Sequence, residues 1–219
     1  MEKKTFELPE PITFTSHAIP GTPTQVTFKT LTIRPFEKEE FFSHWDKRMK
    51  FEIASQNDDN SIDLYDTGDE EIIGLFEIET PGFIRDLLEI KPALCESLTK
   101  YLYLEAGFLC NVTHAKDYEI PAETMQKYNG RLLPLDVDGK VFLFQKLGRI
   151  AYKLLQKEKL KSGFIFSKTF AKWVKSQIIT EQQEDLVSLC DKKPILYFMI
   201  GKILFEETGI QLNEFAGKA

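Results

Sequence analysis

The stretch "TQVTFKTLTIRPFEKEEF", residues 24–41, changes period in its middle. Before Pro35 the apolar residues follow strand parity: Val26 and Phe28 lie on one face, Leu31 and Ile33 on the other. Such a strand carries a bulge near Lys29 or is buried on both faces. Pro35 suits a helix's first turn, where its missing N–H would have no partner anyway, and Glu37, Glu39 and Glu40 complement the positive end of the dipole. Beyond it, Phe41, Phe42, Trp45, Met49 and Ile53 recur every three or four residues. The spacing predicts a helix over residues 36–54.

Upstream, Phe6, Leu8, Ile12 and Phe14 share one parity around Pro9-Glu10-Pro11. That pattern fits an edge strand interrupted where prolines remove ladder donors. The turn-rich "SHAIPGTPT" joins it to the strand before Arg34, so residues 1–34 read as a hairpin with a long loop.

Downstream, "SQNDDNSIDLYDTGDEE" is an acidic, turn-rich connection. Its calcium-loop likeness fails, because Asp63 stands where such a loop needs glycine. "GFIRDLLEI" and "PALCESLTKYLYLEAG" read as helices, the second with Leu94, Leu98, Tyr101, Leu102 and Phe108 on one face and Gly107 near its stop. "PAETMQKYNG" reads as a short helix. "LPLDVDGKVFLFQKLGRIAYKLLQKEKLKSG" is ambiguous: Asp138-Gly139 between apolar runs signals a hairpin, yet Phe144, Leu147, Ala151, Leu154 and Leu155 fit a helix. A helix from Phe144 at the latest is the favoured reading. "SKTFAKWVKSQI" continues as a helix, Thr180 and Gln183 have capping-box spacing, and Pro194 opens a buried last helix ending near Gly209. The predicted fold class is α+β: an N-terminal β-hairpin-like element followed by a mainly α-helical body of roughly seven helices. The organisation is residues 1–55 for the β element and first helix, 56–71 for the acidic loop and 72–219 for the helical body, in one compact domain.

The chain has 219 residues, 42 % of them hydrophobic and 28 % charged, which is ordinary globular composition. Its most apolar run, "PILYFMIGKILF", contains Lys202 and is too short to span a bilayer. The expectation is a soluble, cytoplasmic protein. Cys95, Cys110 and Cys190 lack metal or redox spacing and read as buried thiols; His17, His44 and His114 have no paired spacing. No nucleophile elbow, zinc-protease motif or phosphate loop occurs. Catalytic, cofactor and metal residues are therefore assigned to none.

Charge is unevenly spread. Residues 52–89 carry twelve acids against Arg85 alone, whereas residues 139–180 carry ten bases against Glu158 alone. Arg149, Lys153, Lys157, Lys168, Lys172 and Lys175, with Trp173 among them, are the candidate surface for a protein partner or a nucleic acid. Phosphate and base recognition favours arginine, so a lysine-covered solvated helix face, or docking of these lysines on the chain's own acidic segment, is the preferred expectation.

Two resemblances bear on function. "LTIRPFEKEEF" and "QKLGRIA", residues 145–151, are similar to the first strand and helix and to the acyl-CoA loop of GNAT acetyltransferases. That family implies consecutive strands where this chain reads as helices, and Ile150 occupies a position that takes a small residue there. The other resemblance covers the first fifth of the chain. "FELPEPITF", a spacer and "VTFKTLTIRPF" leading into an acidic helix start resembles bacteriophage tail assembly chaperones and related small tail-assembly proteins. It implies a non-enzymatic protein, in the host cytoplasm, that holds a tape-measure or tail-tube partner during virion assembly. A homo-oligomer stays open, and no membrane is implied. The 18 phenylalanines could line grooves for such a partner, although aromatic residues at helical spacing are ordinarily core.

Overall fold

The computed structural model describes residues 3–56, 69–78, 80–146, 148, 153–154, 157 and 167–207. The chain opens with an antiparallel ribbon of β1 (Lys4–Ser16) and β2 (Thr24–Ile33). The register shifts between Glu7 and Ile12 on β1, opposite Thr30 and Phe28 on β2. Pro9 and Pro11 fall within that shift, so the ladder breaks where two donors are missing. The register break falls opposite Lys29, but the surplus residues are on β1, not on β2 where the bulge was expected. It turns β2 so that Val26 and Phe28 are half-buried while Leu31 and Ile33 are buried at 2 % and 0 % exposure.

Helix α1 (Lys38–Gln56) follows. It begins two residues later than the expected 36, so Pro35, expected in its first turn, lies outside it. The first helical bond runs from the Phe41 N–H to the Glu37 carbonyl (2.9 Å), and the Glu40 carboxylate accepts the Glu37 N–H (2.9 Å). Glu40 therefore caps the helix by reaching back, and the Arg34 guanidinium forks onto the same carboxylate at 2.5 and 2.6 Å. The strand-to-helix corner is fixed by these two side chains.

Short helix α2 (Asp69–Ile73) leads to a bridge between Phe76 and Ile33, which adds an extended segment to the end of β2. Helices α3 (Pro81–Ile90) and α4 (Pro92–Tyr103) each begin on a proline. A π-helical turn (Leu104–Phe108) ends α4. The calcium-like part of the acidic loop lies outside the described residues.

The mainly α-helical body also contains a second sheet, in the stretch that reads ambiguously as hairpin or helix. Strands β3 (Val112–His114), β4 (Leu132–Val137) and β5 (Lys140–Gln145) form an antiparallel meander, with helix α5 (Ala122–Lys127) between β3 and β4. Phe144 is the penultimate residue of a strand, not the start of a helix. Asp138 and Gly139 have φ of 53° and 86° and join β4 to β5 in a two-residue turn, the geometry that matches strand twist. Leu133, Leu135, Val137, Phe142 and Phe144 face the main core, whereas Leu132 and Leu143 face a small cluster with Ile179 on the other side. With apolar residues on both faces, alternation vanishes and the run mimics a helix.

Helices α6 (Ser167–Gln177), α7 (Gln183–Lys192) and α8 (Ile195–Glu206) complete the described chain. Asp46 of α1 accepts both the Ser167 N–H (2.9 Å) and the Ser167 hydroxyl (2.5 Å), so a neighbouring helix satisfies the start of α6. Burial raises the Asp46 carboxyl above its usual range despite those bonds. The capping box expected at Thr180 and Gln183 is not formed. Thr180–Gln182 is a 3-10 turn, and no side chain caps α7. Among the described residues no helix is long and apolar enough to cross a membrane. One buried apolar cluster draws on β2, α1 to α4, the second sheet and α6 to α8, and it holds Phe41, Phe42, Phe142, Phe144 and Phe205.

Candidate functional site

The π-turn is the local irregularity from which a surface groove can be built. Gly107 has φ of 103°, and a Cβ there would stand 2.9 Å from Ile195 Cγ2 and 3.0 Å from Lys193 Cβ. Only glycine both adopts that conformation and fits the close approach of α8. The widened turn breaks the stripe of α4. Leu98, Leu102 and Ala106 stay buried, while Leu104 and Phe108 swing outward to 38 % and 41 % exposure and Leu109 to 80 %. Phe108 was expected on the buried face; the π-turn rotates it off that face.

Phe108 stacks on Tyr103 with centroids 4.9 Å apart, and the Tyr103 hydroxyl lies 2.9 Å from Nε2 of fully buried His44. His44 in turn stacks on Phe36 at 5.1 Å. The aromatic array thus runs from the core to the surface, where it supports a groove of about 850 Å³ between α3, α4, α2 and the middle of α1. Ile73, Leu88, Leu104 and Phe108 supply its apolar floor. Its charged rim is balanced, with Arg48, Arg85 and Lys100 set against Glu70, Glu89 and Glu96. Arg85 is bound to Glu70, which holds the Glu70 carboxyl below its ordinary range. Among the described residues Arg48, Lys100, Glu89 and Glu96 are in no ion pair, so charges of both signs remain available to a ligand.

Of the candidate basic residues, Arg149 lies outside the described residues. Lys153 and Lys157 are exposed, as is Lys172. Lys168 meets Glu39 at 3.0 Å, and Lys175 lies 3.9 Å from Asp191 and above the Tyr197 ring. Trp173 is only 7 % exposed and packs on Phe205 (4.7 Å) and Phe170 (5.4 Å), so it is core, not a stacking platform. Residues 57–68 of the acidic segment lie outside the described residues, and its described acids do not meet these lysines. Lys168 and Lys175 use acids of α1 and α7, while Glu70, Glu71 and Glu77 are paired with Arg85, Lys47 and Lys3. Periodicity in one segment cannot show which distant acid meets which lysine.

Among the described residues no group of His, Cys, Asp and Glu side chains is placed to hold a metal ion. Cys110 and Cys190 are free thiols, half-buried and buried, and burial pushes both above the ordinary thiol range. Neither has the lowered value a nucleophilic cysteine needs. No signal in the sequence pointed to Arg48 or Glu89 as groove residues, because they come from different helices. Gly107 was legible as a helix stop; the π-turn was not. Compared with family models, curated proteins and solved structures, the chain matches none.

Proposed function

We propose that this chain is a non-enzymatic protein-binding protein that holds an amphipathic partner segment in the groove between α3 and α4. Its place is phage tail or virion assembly, with a tape-measure or tail-tube protein as partner. The supporting observation is the groove itself: an apolar floor on which Leu104 and Phe108 are swung outward, ringed by charges of both signs, of which Arg48, Lys100, Glu89 and Glu96 are in no ion pair among the described residues. Such a rim suits a segment that has one apolar face and mixed charge at its flanks. The resemblance of β1, β2 and the start of α1 to tail assembly chaperones supplies the biological setting. Partial neutralisation of the α6 lysines by Glu39 and Asp191 favours this reading over nucleic-acid binding.

The test is size-exclusion chromatography with phage tape-measure and tail-tube proteins, using wild type and Leu104→Asp/Phe108→Asp. A stable complex lost in the double variant is the expected result. No complex, or a complex indifferent to the substitutions, sinks the reading.

One observation favours a second reading as an acetyltransferase. β5 ends at Gln145, so a strand of an antiparallel meander leads directly into residues 145–151, the stretch similar to an acyl-CoA loop. This removes one objection raised by the sequence, which placed helices there. Calorimetry with acetyl-CoA decides it, and saturable micromolar binding would promote that enzyme reading over the one proposed here.

A further inference from the structure

The two outer edges of the second sheet are treated differently. On β5, the Leu143 carbonyl accepts the Ile179 N–H (3.1 Å), the Leu143 N–H donates to Gln182 Oε1 (2.7 Å), and Gln182 Nε2 donates to the Val141 carbonyl (3.3 Å). That edge is closed by one side chain and one bridge. On β3, the Asp138 N–H donates to the Asn111 carbonyl (2.8 Å) and the Ala115 N–H to the Pro134 carbonyl (3.0 Å), and Thr113 stands opposite Asp136. In an antiparallel ladder these alternate residues are the ones bonded to β4. Val112 and His114, between them, therefore aim their N–H and C=O groups away from the sheet. Among the described residues no strand pairs with that edge.

Beside this edge runs an apolar groove of about 560 Å³, between β3 and α8. Val112 and His114 stand opposite Val137 and Leu135, so their side chains lie on the sheet face that carries the main core. Met199 and Ile203, one helical turn apart on α8, line the groove beyond them and are only partly buried. The Lys202–Glu206 pair borders it, and exposed Lys116 is in no ion pair among the described residues.

We propose that β3 is a docking edge for an extended segment of a partner protein, added as a fourth strand antiparallel or parallel to β3. The outward backbone groups of Val112 and His114 specify an extended backbone, which a helix cannot supply because its own bonds are already made. Every second side chain of that segment falls on Met199 and Ile203, so the partner alternates apolar with polar residues. Lys116 adds a preference for an acidic residue at one end. This site is separate from the α3–α4 groove and stands or falls independently of it.

The test starts from a displayed library of random peptides panned on the purified full chain, with enriched sequences synthesised and titrated by fluorescence anisotropy. Enriched peptides should alternate apolar and polar residues and protect the His114 amide from hydrogen exchange. The variant His114→Pro removes an outward N–H and the side-chain contact of His114 with Glu207 (3.6 Å) but no bond to β4, edge prolines are tolerated, and His114→Ala, which keeps the N–H, should bind like wild type. His114→Pro should weaken binding at least about tenfold with an unchanged unfolding midpoint. Should His114→Pro fail to fold, N-methylation of the peptide at alternate residues tests the same bonds from the other side and should give the same loss. The inference is overturned if no peptide is enriched, or if enriched peptides bind regardless of His114→Pro and N-methylation. It is equally overturned if a second copy of the chain or its own residues 208–219 prove to hold the edge, seen as a dimer lost in His114→Pro or as protection lost on deleting that segment.

Discussion

The hairpins β1–β2 and β4–β5 solve the same problem in opposite ways. The first has a loop of residues 17–23, an interrupted ladder and side chains that are at most half-buried along β1 until Ser16. The second has a two-residue turn, an unbroken register from Leu132↔Gln145 to Val137↔Lys140, and apolar side chains on both faces. A strand with one open face must alternate to keep polar groups wet, so its sequence announces it. A strand enclosed on both faces has no such constraint, and its identity depends on what packs around it.

The comparison is sharpest in the cores of the two hairpins. Phe144 is fully buried, and Phe144→Ala should cost about 3–5 kcal/mol by the cavity it leaves. Phe14 is half-buried and stacks on Phe28 at 6.1 Å, so Phe14→Ala should cost about 1–2 kcal/mol, in proportion to the smaller area it removes from water. Urea unfolding of both variants measures the difference. Equal costs would mean that the exposed ribbon contributes as much to the core as the enclosed hairpin.

The closed edge of β5 comes next. Gln182→Ala leaves the Leu143 N–H without its acceptor, at a cost of about 1–3 kcal/mol, with faster hydrogen exchange at Leu143 as the local readout. At the tight turn, Gly139→Val places a β-branched residue at φ of 86° and should cost about 1–3 kcal/mol. The open space around the Gly139 Cβ position makes backbone strain, not a clash, the cause, so Gly139→Asn should recover part of the loss.

The smallest expected effect belongs to the corner between β2 and α1. Arg34 holds the Glu40 carboxyl below its ordinary range, and Glu40 raises the Arg34 guanidinium above its own. A carboxyl lowered in the folded state stabilises it fully above the unfolded value, near 4.3 for glutamate, and that gain is lost as pH falls through the lower folded value. Both side chains are about a third exposed, so solvent screening limits the gain to about 1 kcal/mol or less. Unfolding curves at neutral pH and at about pH 3 should converge between wild type and Arg34→Gln in acid; an Arg34→Gln variant as stable as wild type at neutral pH would remove this pair from the account.

The sequence by itself determined the elements whose signals are local. Parity in Phe6 to Phe14 and in Val26 to Ile33, the turn formers between them, the three-to-four spacing after Pro35 and the helical runs of α3 and α4 are each read within a few residues. Tertiary structure decided the rest. It turned Phe142 and Phe144 into a strand by placing core on one side and Ile179 on the other, and it sent Trp173 inward between Phe170 and Phe205. It also gave Lys168 and Lys175 to Glu39 and Asp191, and it rotated Phe108 out of its stripe through a π-turn pressed against α8. Burial on two faces erases periodicity, and pairing between distant charges never enters it. The α3–α4 groove and the outer edge of β3 therefore arise only where separate elements meet.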